Sequence, residues 1–335
     1  MYTAGRRDFL RHSIQAITVA GLGAGLSGML SGCASDAPTT NTMSITMQSA
    51  WVNDAEFMGY YLGLDKGYYK RAGVDVTYLP GGPNVIPESV LLARRADLAL
   101  TTPDTTVKAI AEQGAPFVII GAQYQKSPLG VVSLAGNHIT KPADLVGKTL
   151  AVPDVNRLAV QAMLALNDIP ADAVKIVPYA YDPTPLIKGE VDATIDFAVN
   201  VPYTIQQAGV KPTSFLLYDF GFKIFNDTVV VTRDTLKNKR KALVAWLRAS
   251  RQGWTENLTD PTAYPPRIAQ TWFKGNGRTI ENEIYFNERS RPLIEASGGV
   301  FSMSEQAIAD CVDSLNRIGL KATTDMFDSS LLTEM

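Results

Sequence analysis

The sequence predicts an α/β protein of two lobes, in which mostly parallel β-sheets are flanked by helices. Short apolar strands alternate with helices of about three turns, and the alternation starts again near residue 149. The chain also leaves about 300 residues behind its N-terminal leader, which is enough for two domains with cores of their own.

The first run of elements begins where Ile45 and Met47 alternate with polar residues, which predicts a strand over residues 44–49. Aromatic residues at helical spacing then predict a helix over residues 56–66, ended by Gly67. The elements predicted after it are a strand at 74–79, a helix at 85–94, a strand at 96–100, a helix at 103–112 and a strand at 117–122.

The second run repeats this pattern around a turn-rich segment at residues 141–153. Its predicted elements are a strand at 129–134, a helix at 157–167, a strand at 174–178, a helix at 184–188 and a strand at 193–197. From about Val229 the pattern becomes helical. Helices are predicted from Leu236 to Leu258 and at 279–288, 291–296 and 305–318, the last with the capping box Ser302-Met-Ser-Glu305.

The N-terminus has the pattern of an export signal. Arg6-Arg7 precede an apolar run of about 17 residues rich in glycine, against the ~20 that a membrane-spanning helix needs. The paired arginines resemble a twin-arginine signal, and Leu30-Ser-Gly-Cys33 resembles a bacterial lipobox, in which the cysteine carries lipid. We therefore expect a signal peptide over residues 1–32, then a lipidated Cys33 and a flexible linker over 33–42.

Composition narrows the classes of function. The formal net charge is −2 and becomes about −4 without the leader, and the longest basic tract behind the leader is 237–241, so we expect no nucleic-acid partner. With Cys33 lipidated, Cys311 has no cysteine partner, and its helical spacing with apolar residues predicts a buried thiol. His138 is the single histidine behind the leader, so the residues there offer no Cys/His set for zinc. No sequence pattern indicates a catalytic triad. A pair of catalytic carboxylates stays open.

Four segments carry a family resemblance. They are "GYYLGLDKGYYKRAGVDVTYLPGGP", "ARRADLALTTPD", "KPADLVGKTLAVP" and "LIKGEVDATI". Together with the signal and lipobox they resemble a substrate-binding protein of an ABC importer, of periplasmic-binding-protein class II. The group includes sulfonate, thiamine-pyrimidine-precursor and riboflavin binders. "PGGPN" and "GAQYQKSPLG" are most similar to the pyrimidine-precursor and riboflavin branch.

The resemblance implies two lobes that close on a ligand about a hinge. Lobe 1 would comprise residues 43–128 and 226–335, lobe 2 would comprise 129–225, and the hinge would lie near 126–128 and 222–227. It further implies a monomer without cofactor or metal, held at a membrane by the lipid on Cys33 on the periplasmic or cell-envelope side. The expected partners are a small-molecule ligand and the importer's permease and ATPase subunits.

Ligands of open α/β sheets bind outside the carboxyl ends of the strands, so the residues that follow each strand are the candidate site. Rings there can stack on a planar ligand, amides can read its edge, and the paired glycines let backbone N–H groups approach it. The candidates from lobe 1 are Trp51, Asn53, Phe57, Tyr60, Gly81, Gly82, Asp104, Gln123 and Tyr124, and those from lobe 2 are Tyr181, Asp196 and Asn200.

Some of these candidates have a structural alternative. Phe57 and Tyr60 can instead pack their helix against the sheet, the paired glycines can serve a tight turn alone, and Asp104 can act as a helix N-cap in competition with Thr102.

Three functions follow from the sequence. The first is an importer receptor for a planar heterocycle. The second is a sulfonate receptor, which would need more basic residues near these loops than Lys126 and Arg157. The third is a pyrimidine synthase-like enzyme on the same fold, whose cysteine-rich iron site has no counterpart in this sequence.

Overall fold

The computed structural model describes residues 42–335 and shows two five-stranded sheets. The strands, in chain order, are β1 (Met43–Gln48), β2 (Val74–Leu79), β3 (Leu98–Thr101), β4 (Phe117–Tyr124), β5 (Leu129–Leu134), β6 (Thr149–Val152), β7 (Lys175–Pro178), β8 (Ala193–Phe197), β9 (Pro212–Leu216) and β10 (Asn226–Thr232).

Twelve α-helices flank these sheets in the described part of the chain. They are α1 (Met58–Asp65), α2 (Tyr68–Arg71), α3 (Pro87–Leu92), α4 (Pro103–Gln113), α5 (Arg157–Leu166), α6 (Thr184–Ile187), α7 (Val201–Gln207), α8 (Arg233–Asn238), α9 (Arg240–Thr259), α10 (Pro265–Ile268), α11 (Ile280–Ile294) and α12 (Glu305–Arg317). Between residues 42 and 335, no helix is both long and apolar enough to span a membrane.

The sheets have matching topologies. The first has the order β2-β1-β3-β10-β4 and the second the order β7-β6-β8-β5-β9. In each sheet three neighbouring strands are parallel, and one strand, β10 or β5, runs against the others. Each reversed strand is the first that the chain forms after it crosses from the other sheet. The fold class is therefore the predicted one. The sequence predicted β5 as a strand but not its antiparallel direction, and it predicted neither β9 nor β10. The expectation of a helical pattern from about Val229 is wrong for residues 229–232, which belong to β10.

The two crossings between the sheets, at residues 125–128 and 217–225, lie side by side. Ser127 N donates to Ile224 O over 3.1 Å, and Ser127 Oγ lies 3.3 Å from Asn226 Oδ1. Adjacent crossings form a narrow connection about which two lobes can rotate.

The first sheet is buried on both faces, as alternate residues of its inner strands show. Val118, Ile120 and Val229 face one core, whereas Ile119 and Val230 face the other. The first of these cores contains Trp246 and Trp254 of α9, packed against α1. The helices approach so closely that a Cβ on Gly253 would lie 2.0 Å from Gly59 O. Cys311 lies fully buried in the other core, as its spacing predicted.

Several helix boundaries differ from the predicted ones. The helix predicted from Leu236 to Leu258 is two helices in the structure, α8 and α9. The predicted helix over 56–66 begins with a separate 3₁₀ turn, Ala55–Phe57, before α1. The two helices predicted at 279–288 and 291–296 are the single α11, because Pro292 lies near its end and interrupts few hydrogen bonds there. The N-cap of α12 is Ser304, whose Oγ accepts from Ala307 N, so the predicted capping box from Ser302 is wrong.

Candidate functional site

A cavity of about 740 Å³ lies between the two sheets and is lined by both halves of the structure. Its walls are the loops after β1, β2, β3 and β7, the ends of β8 and β10, and the start of α11. This is the location that the strand-end argument predicts for a ligand site.

Six of the twelve candidate residues line this cavity. Four of them, Trp51, Asp104, Asp196 and Asn200, follow or end a strand, and the other two lie in the loops after β2 and β7. The lining candidates are Trp51, Gly82, Asp104, Tyr181, Asp196 and Asn200.

Three other candidates are core residues of lobe 1. Phe57 and Tyr60 are fully buried, and the Tyr60 ring lies 5.6 Å from the Trp246 ring in a stacked arrangement. Tyr124 is equally buried, and its hydroxyl donates to Ser290 Oγ over 3.1 Å. These rings pack helices α1, α9 and α11 around the first sheet, which was the structural alternative for Phe57 and Tyr60.

The remaining three candidates do not line the cavity themselves but hydrogen-bond to residues that do. Gln123 donates from Nε2 to Glu56 O over 2.7 Å and to Asp227 Oδ2 over 3.2 Å. Gly81 N donates to Trp51 O, and a Cβ on Gly81 would lie 2.5 Å from Ser49 O, so this glycine permits a close approach of two loops. The carbonyl of Asn53 accepts from Asn276 Nδ2 over 3.2 Å.

Two aromatic rings from opposite sides of the cavity are in tilted contact. The centroids of Trp51, after β1, and Tyr181, after β7, are 4.7 Å apart with an interplanar angle of 58°. Tyr181 has a φ of 60°, in the left-handed region that non-glycine residues rarely adopt. A backbone held in this conformation at a cleft wall is the kind of local strain that accompanies ligand sites. The two rings provide a surface for stacking on a planar ligand.

The cavity lining is strongly acidic. Its basic side chains are Arg278 and the exposed Lys108. Its acidic side chains are Asp54, Glu56, Glu88, Asp104, Asp182, Asp196 and Asp227. Asp104 is buried at the second residue of α4, behind the N-cap Thr102, and its Oδ1 has no hydrogen-bond partner among the described groups. Such a lining attracts ligands that carry N–H donors or positive charge.

Arg278 is the half-buried cation of the lining. Its Nη1 donates to Asp54 Oδ2 over 2.5 Å and lies 4.0 Å from Glu283 Oε1. Glu283 also accepts from Ala55 N over 2.7 Å and from Asn276 Nδ2 over 2.7 Å. Burial, and next the Asp54 charge, raise the pKa of Glu283 to about 7, although Arg278 opposes this. Burial likewise raises the pKa of Asp54, against the effect of Arg278.

Lobe 2 contributes Asp196 and Asn200 to the opposite wall. Asp196 accepts from Tyr179 Oη over 3.0 Å and from Phe197 N over 2.7 Å, and burial raises its pKa to about 6. Asn200 Oδ1 accepts from Asn282 Nδ2 of α11 over 2.9 Å, which joins the two halves directly. The structure therefore shows the halves in contact on both sides of the cavity.

Several lining residues were not among the sequence candidates. Asp54 and Glu56 follow β1 directly, so the strand-end rule that selected Trp51 could have found them. Asp227 and Arg278 come from distant parts of the chain, and no local pattern marks them. Within residues 42–335 there is no cluster of three or more His, Cys, Asp or Glu side chains suited to a metal ion.

Comparison with protein families identifies the chain. The family model described as NMT1/THI5 like matches residues 54–264, more than half of the sequence. The chain belongs to the NMT1/THI5-like family. The matched region contains the cavity walls from Asp54 to Thr204, and the Arg278 loop follows it.

Two curated relatives of this NMT1/THI5-like chain are binding proteins. A riboflavin-binding protein of Chloroflexus aurantiacus is 22% identical over 222 residues, which cover 65% of this chain and 63% of the relative. A formylaminopyrimidine-binding protein of Halalkalibacterium halodurans is 24% identical over 235 residues, which cover 68% of this chain and 70% of the relative. The match to the riboflavin-binding protein thus spans less than two thirds of that protein.

A solved structure shares the fold over nearly the whole described chain. The putative periplasmic sulfonate-binding protein of a sulfonate ABC transporter from Methylobacillus flagellatus KT aligns with a TM-score of 0.64 at 13% identity. The alignment covers 88% of this NMT1/THI5-like chain and 94% of the other. This chain therefore has the two-lobe fold of periplasmic binding proteins.

The buried carboxyl of Glu283 predicts a specific pH dependence of stability. Because its folded pKa is raised above that of the unfolded chain, it favours the folded state at low pH, and this contribution is lost as pH rises through about 7. The wild type should lose unfolding free energy between about pH 5 and pH 8 as Glu283 ionises. We expect this loss to be about 2 kcal/mol smaller in Glu283→Gln. Urea denaturation at several pH values measures this loss.

The matched control for this measurement is Glu112→Gln, which changes an exposed carboxyl on α4. It should follow the wild-type pH profile. If Glu283→Gln had the same pH profile as the wild type, Glu283 would not titrate with a raised pKa in the folded protein.

Proposed function

We propose that this protein is the extracytoplasmic substrate-binding lipoprotein of an ABC importer. In this proposal it captures a small planar heterocycle, a thiamine pyrimidine precursor or a riboflavin-like molecule, and delivers it to a membrane permease with its ATPase subunits. It acts as a monomer and catalyses no reaction. The names of the two curated relatives, a riboflavin-binding and a formylaminopyrimidine-binding protein, support the ligand class.

The observation that carries the proposal is the combination of opposed rings and buried acceptors in one cavity. Trp51 and Tyr181 offer stacking surface from opposite walls, and Asp104 and Asp227 each keep a buried carboxylate oxygen without a hydrogen-bond partner among the described groups. A planar heterocycle with amino and ring N–H groups satisfies both features, since its faces stack and its edge donates.

Capture by lobe closure fits the same geometry. We assign lobe 1 to residues 43–128 and 226–335, lobe 2 to 129–225, and the hinge to the adjacent crossings near 126–128 and 222–227. The Asn282–Asn200 hydrogen bond and the Trp51–Tyr181 contact link the lobes at the cavity, so closure would enclose a ligand between them.

The charge of the cavity disfavours the sulfonate alternative. A sulfonate needs basic or N–H donors, and the half-buried guanidinium of Arg278 is already held by Asp54. The two basic residues considered from the sequence do not change this, because Lys126 does not line the cavity and Arg157 is paired with Asp154 outside it. Seven carboxyl groups would repel an anion that entered the cavity.

The residues of the cavity also disfavour an enzyme. In the part of the chain that the structure describes, His138 lies in a turn away from the cavity lining and Cys311 lies in the core. The lining therefore offers neither imidazole nor thiol to act as base or nucleophile. The carboxyl groups are the acid–base groups of the lining that remain.

The tether in this proposal is Cys33, which lies outside the described residues. Its lipobox-like context and the twin-arginine-like leader over residues 1–32 support export followed by lipidation, with residues 34–42 as the linker to the binding domain.

A ligand screen tests the proposed function directly. Differential scanning fluorimetry of the purified full-length chain against aminopyrimidines, riboflavin, purines and alkyl sulfonates should show thermal stabilisation by heterocycles only. Stabilisation arises because a ligand that binds the folded state alone shifts the unfolding equilibrium. Stabilisation by sulfonates alone would replace the heterocycle by an anion, and no stabilisation by any heterocycle would contradict the proposal.

The stacking role of Trp51 predicts a selective effect of Trp51→Ala. We expect heterocycle affinity to fall about tenfold or more, because stacking on an aromatic ring contributes ~1–3 kcal/mol. Isothermal titration calorimetry measures the affinity, and the thermal midpoint reports folding. The control is Trp272→Ala, which removes a ring that stacks on Tyr61 outside the cavity lining and should leave affinity unchanged. A loss of stability without a selective loss of affinity would assign Trp51 to packing.

Lipidation of Cys33 predicts that the Cys33→Ser chain leaves the membrane fraction when expressed in a bacterial host. Fractionation and detergent-phase partitioning measure this, because an attached acyl group carries a protein into the detergent phase. Cys311→Ser is the matched control, since it changes the other cysteine of the chain, which is buried in the core. Equal membrane association of Cys33→Ser and wild type would exclude this anchor.

A further inference from the structure

The cavity follows helix α4 over most of the length of that helix. Its lining includes Asp104, Thr105, Lys108, Ala109 and Gln113, whose spacing places them on one side of α4. At a rise of about 1.5 Å per residue, this side is about 13 Å long from Asp104 to Gln113. We call the part of the cavity that these five residues line the α4 arm. It leads from the buried Asp104 to the exposed Gln113.

Helix α3 lies beside α4 along the arm. The two helices are joined by Thr105 Oγ1, which donates to Glu88 Oε1 over 2.6 Å. Ile86, just before α3, and Leu92, at its end, line the same cavity. Lobe 1 therefore forms this part of the lining with two helices.

Lobe 2 lines the cavity with the turn after β6 and the first turns of α5. Val155 lies in that turn and Ala159 lies on the helix. Ala159 and Ala109 of α4 are buried members of one apolar cluster, which extends through both lobes. The apolar lining is therefore shared between the lobes.

Exposed apolar side chains are concentrated on this lining. Between residues 42 and 335, four large apolar side chains are exposed, and three of them line the cavity: Ile86 at 63%, Leu92 at 43% and Val155 at 60%. Single exposed apolar side chains are common on protein surfaces, but a group of them at a cavity indicates contact with an apolar partner. A ligand that covers them removes apolar surface from water, which favours binding.

Most polar side chains of the arm have no need of a ligand. Glu88 and Thr105 are hydrogen-bonded to each other, and Lys108 and Gln113 are exposed, so their polar ends can stay in water. Asp104 differs, because its buried Oδ1 has no hydrogen-bond partner among the described groups. A ligand thus meets an unpaired acceptor at the inner end of the arm and apolar side chains farther out.

The size of the cavity agrees with a ligand larger than one ring. Its volume of about 740 Å³ lies in the range of ~300–1,000 Å³ that is usual for pockets that enclose drug-sized ligands. A single substituted pyrimidine would leave most of this space to water, and the α4 arm would then hold no part of the ligand.

We propose that the α4 arm binds an apolar substituent of the ligand, so that the preferred ligand is a planar heterocycle that carries an alkyl or aryl group. This inference rests on the proposed heterocycle-binding function and adds a second subsite to it. The ring donates to Asp104, and the substituent extends from there along α4 to the side chains of Ile86, Leu92 and Val155. Polar substituents fit this subsite less well, because their hydroxyl groups lose water without gaining partners at apolar side chains.

Two homologous series of ligands test the subsite. The probes are 4-amino-5-alkyl-2-methylpyrimidines and 7,8-dimethyl-10-alkylisoalloxazines, each with a methyl, propyl or pentyl chain. Isothermal titration calorimetry with the purified full-length chain measures their affinities. Each methylene group that becomes buried should improve affinity about twofold to fourfold, so the pentyl probe should bind at least about tenfold more tightly than the methyl probe.

A hydroxylated counterpart of each pentyl probe separates an apolar subsite from one that accepts any chain. The counterpart carries a hydroxyl group on every chain carbon beyond the first, and in the isoalloxazine series it is riboflavin. It should bind more weakly than the pentyl probe with the same ring, because its hydroxyl groups must leave water.

Three variants link the gain in affinity to the arm. Ile86→Ser, Leu92→Ser and Val155→Ser each remove an exposed apolar side chain, so the fold should be retained, and the thermal midpoint checks this. We expect each of them to reduce the ratio of pentyl to methyl affinity about threefold or more. The control is Val146→Ser, which removes the fourth exposed apolar side chain, outside the cavity lining, and should keep the wild-type ratio.

The outcomes separate the subsite from the proposed function. Equal affinities of methyl and pentyl probes, or tighter binding of the hydroxylated counterpart, overturn the apolar subsite and leave the heterocycle receptor standing. Variants that weaken every probe equally also overturn it, because their side chains would then serve the ring or the contact between lobes. Failure of all probes in both series to bind overturns the proposed function as well. If one variant does not fold, the wild-type series and the other variants decide.

Discussion

The ion pair between Arg278 and Asp54 is the constraint on which the binding cavity depends. It joins the loop before α11 to the loop after β1 at 2.5 Å, although 224 residues separate the partners in sequence. Isolated buried carboxylates cost several kcal/mol, and one guanidinium here faces Asp54 and Glu283 together. The remaining charge must be neutralised by protons, which is why the pKa values of the buried acids in this region are raised.

The two walls of the cavity are held by different sets of contacts. In lobe 1 the acidic residues are fixed by Arg278, Gln123, Asn276 and backbone N–H groups. Lobe 2 offers Tyr181 from a loop and Asp196 from a strand end, and Asn200 meets Asn282 at the edge. Hydrogen bonds within and between the two halves therefore hold the lining residues in place.

The sequence predicted those parts of the fold and of the site that local residue patterns determine. Periodicity gave most of the strands, with β2 and β5 at their predicted residues, but it missed β9 and β10. The strand-end rule led to Trp51, Asp104 and Asp196. Helical spacing could not decide which face of a helix points to the site, so Phe57 and Tyr60 were assigned to the cavity although they fill the core. Arg278 and Asp227 reach the cavity only through tertiary contacts, so no local pattern could reveal them.

The fold and the ligand chemistry are separable in this protein. The sulfonate-binding structure from Methylobacillus flagellatus has the same fold with a TM-score of 0.64, yet a cavity with seven carboxyl groups is a poor place for a sulfonate. The property that distinguishes ligand classes on this fold is the set of charged and protonated side chains that line the cavity. A cavity that holds more buried acids than cations favours the protonated form of some of them, because burial disfavours the charged form. Specificity then follows from the charge of the cavity lining as well as from its shape.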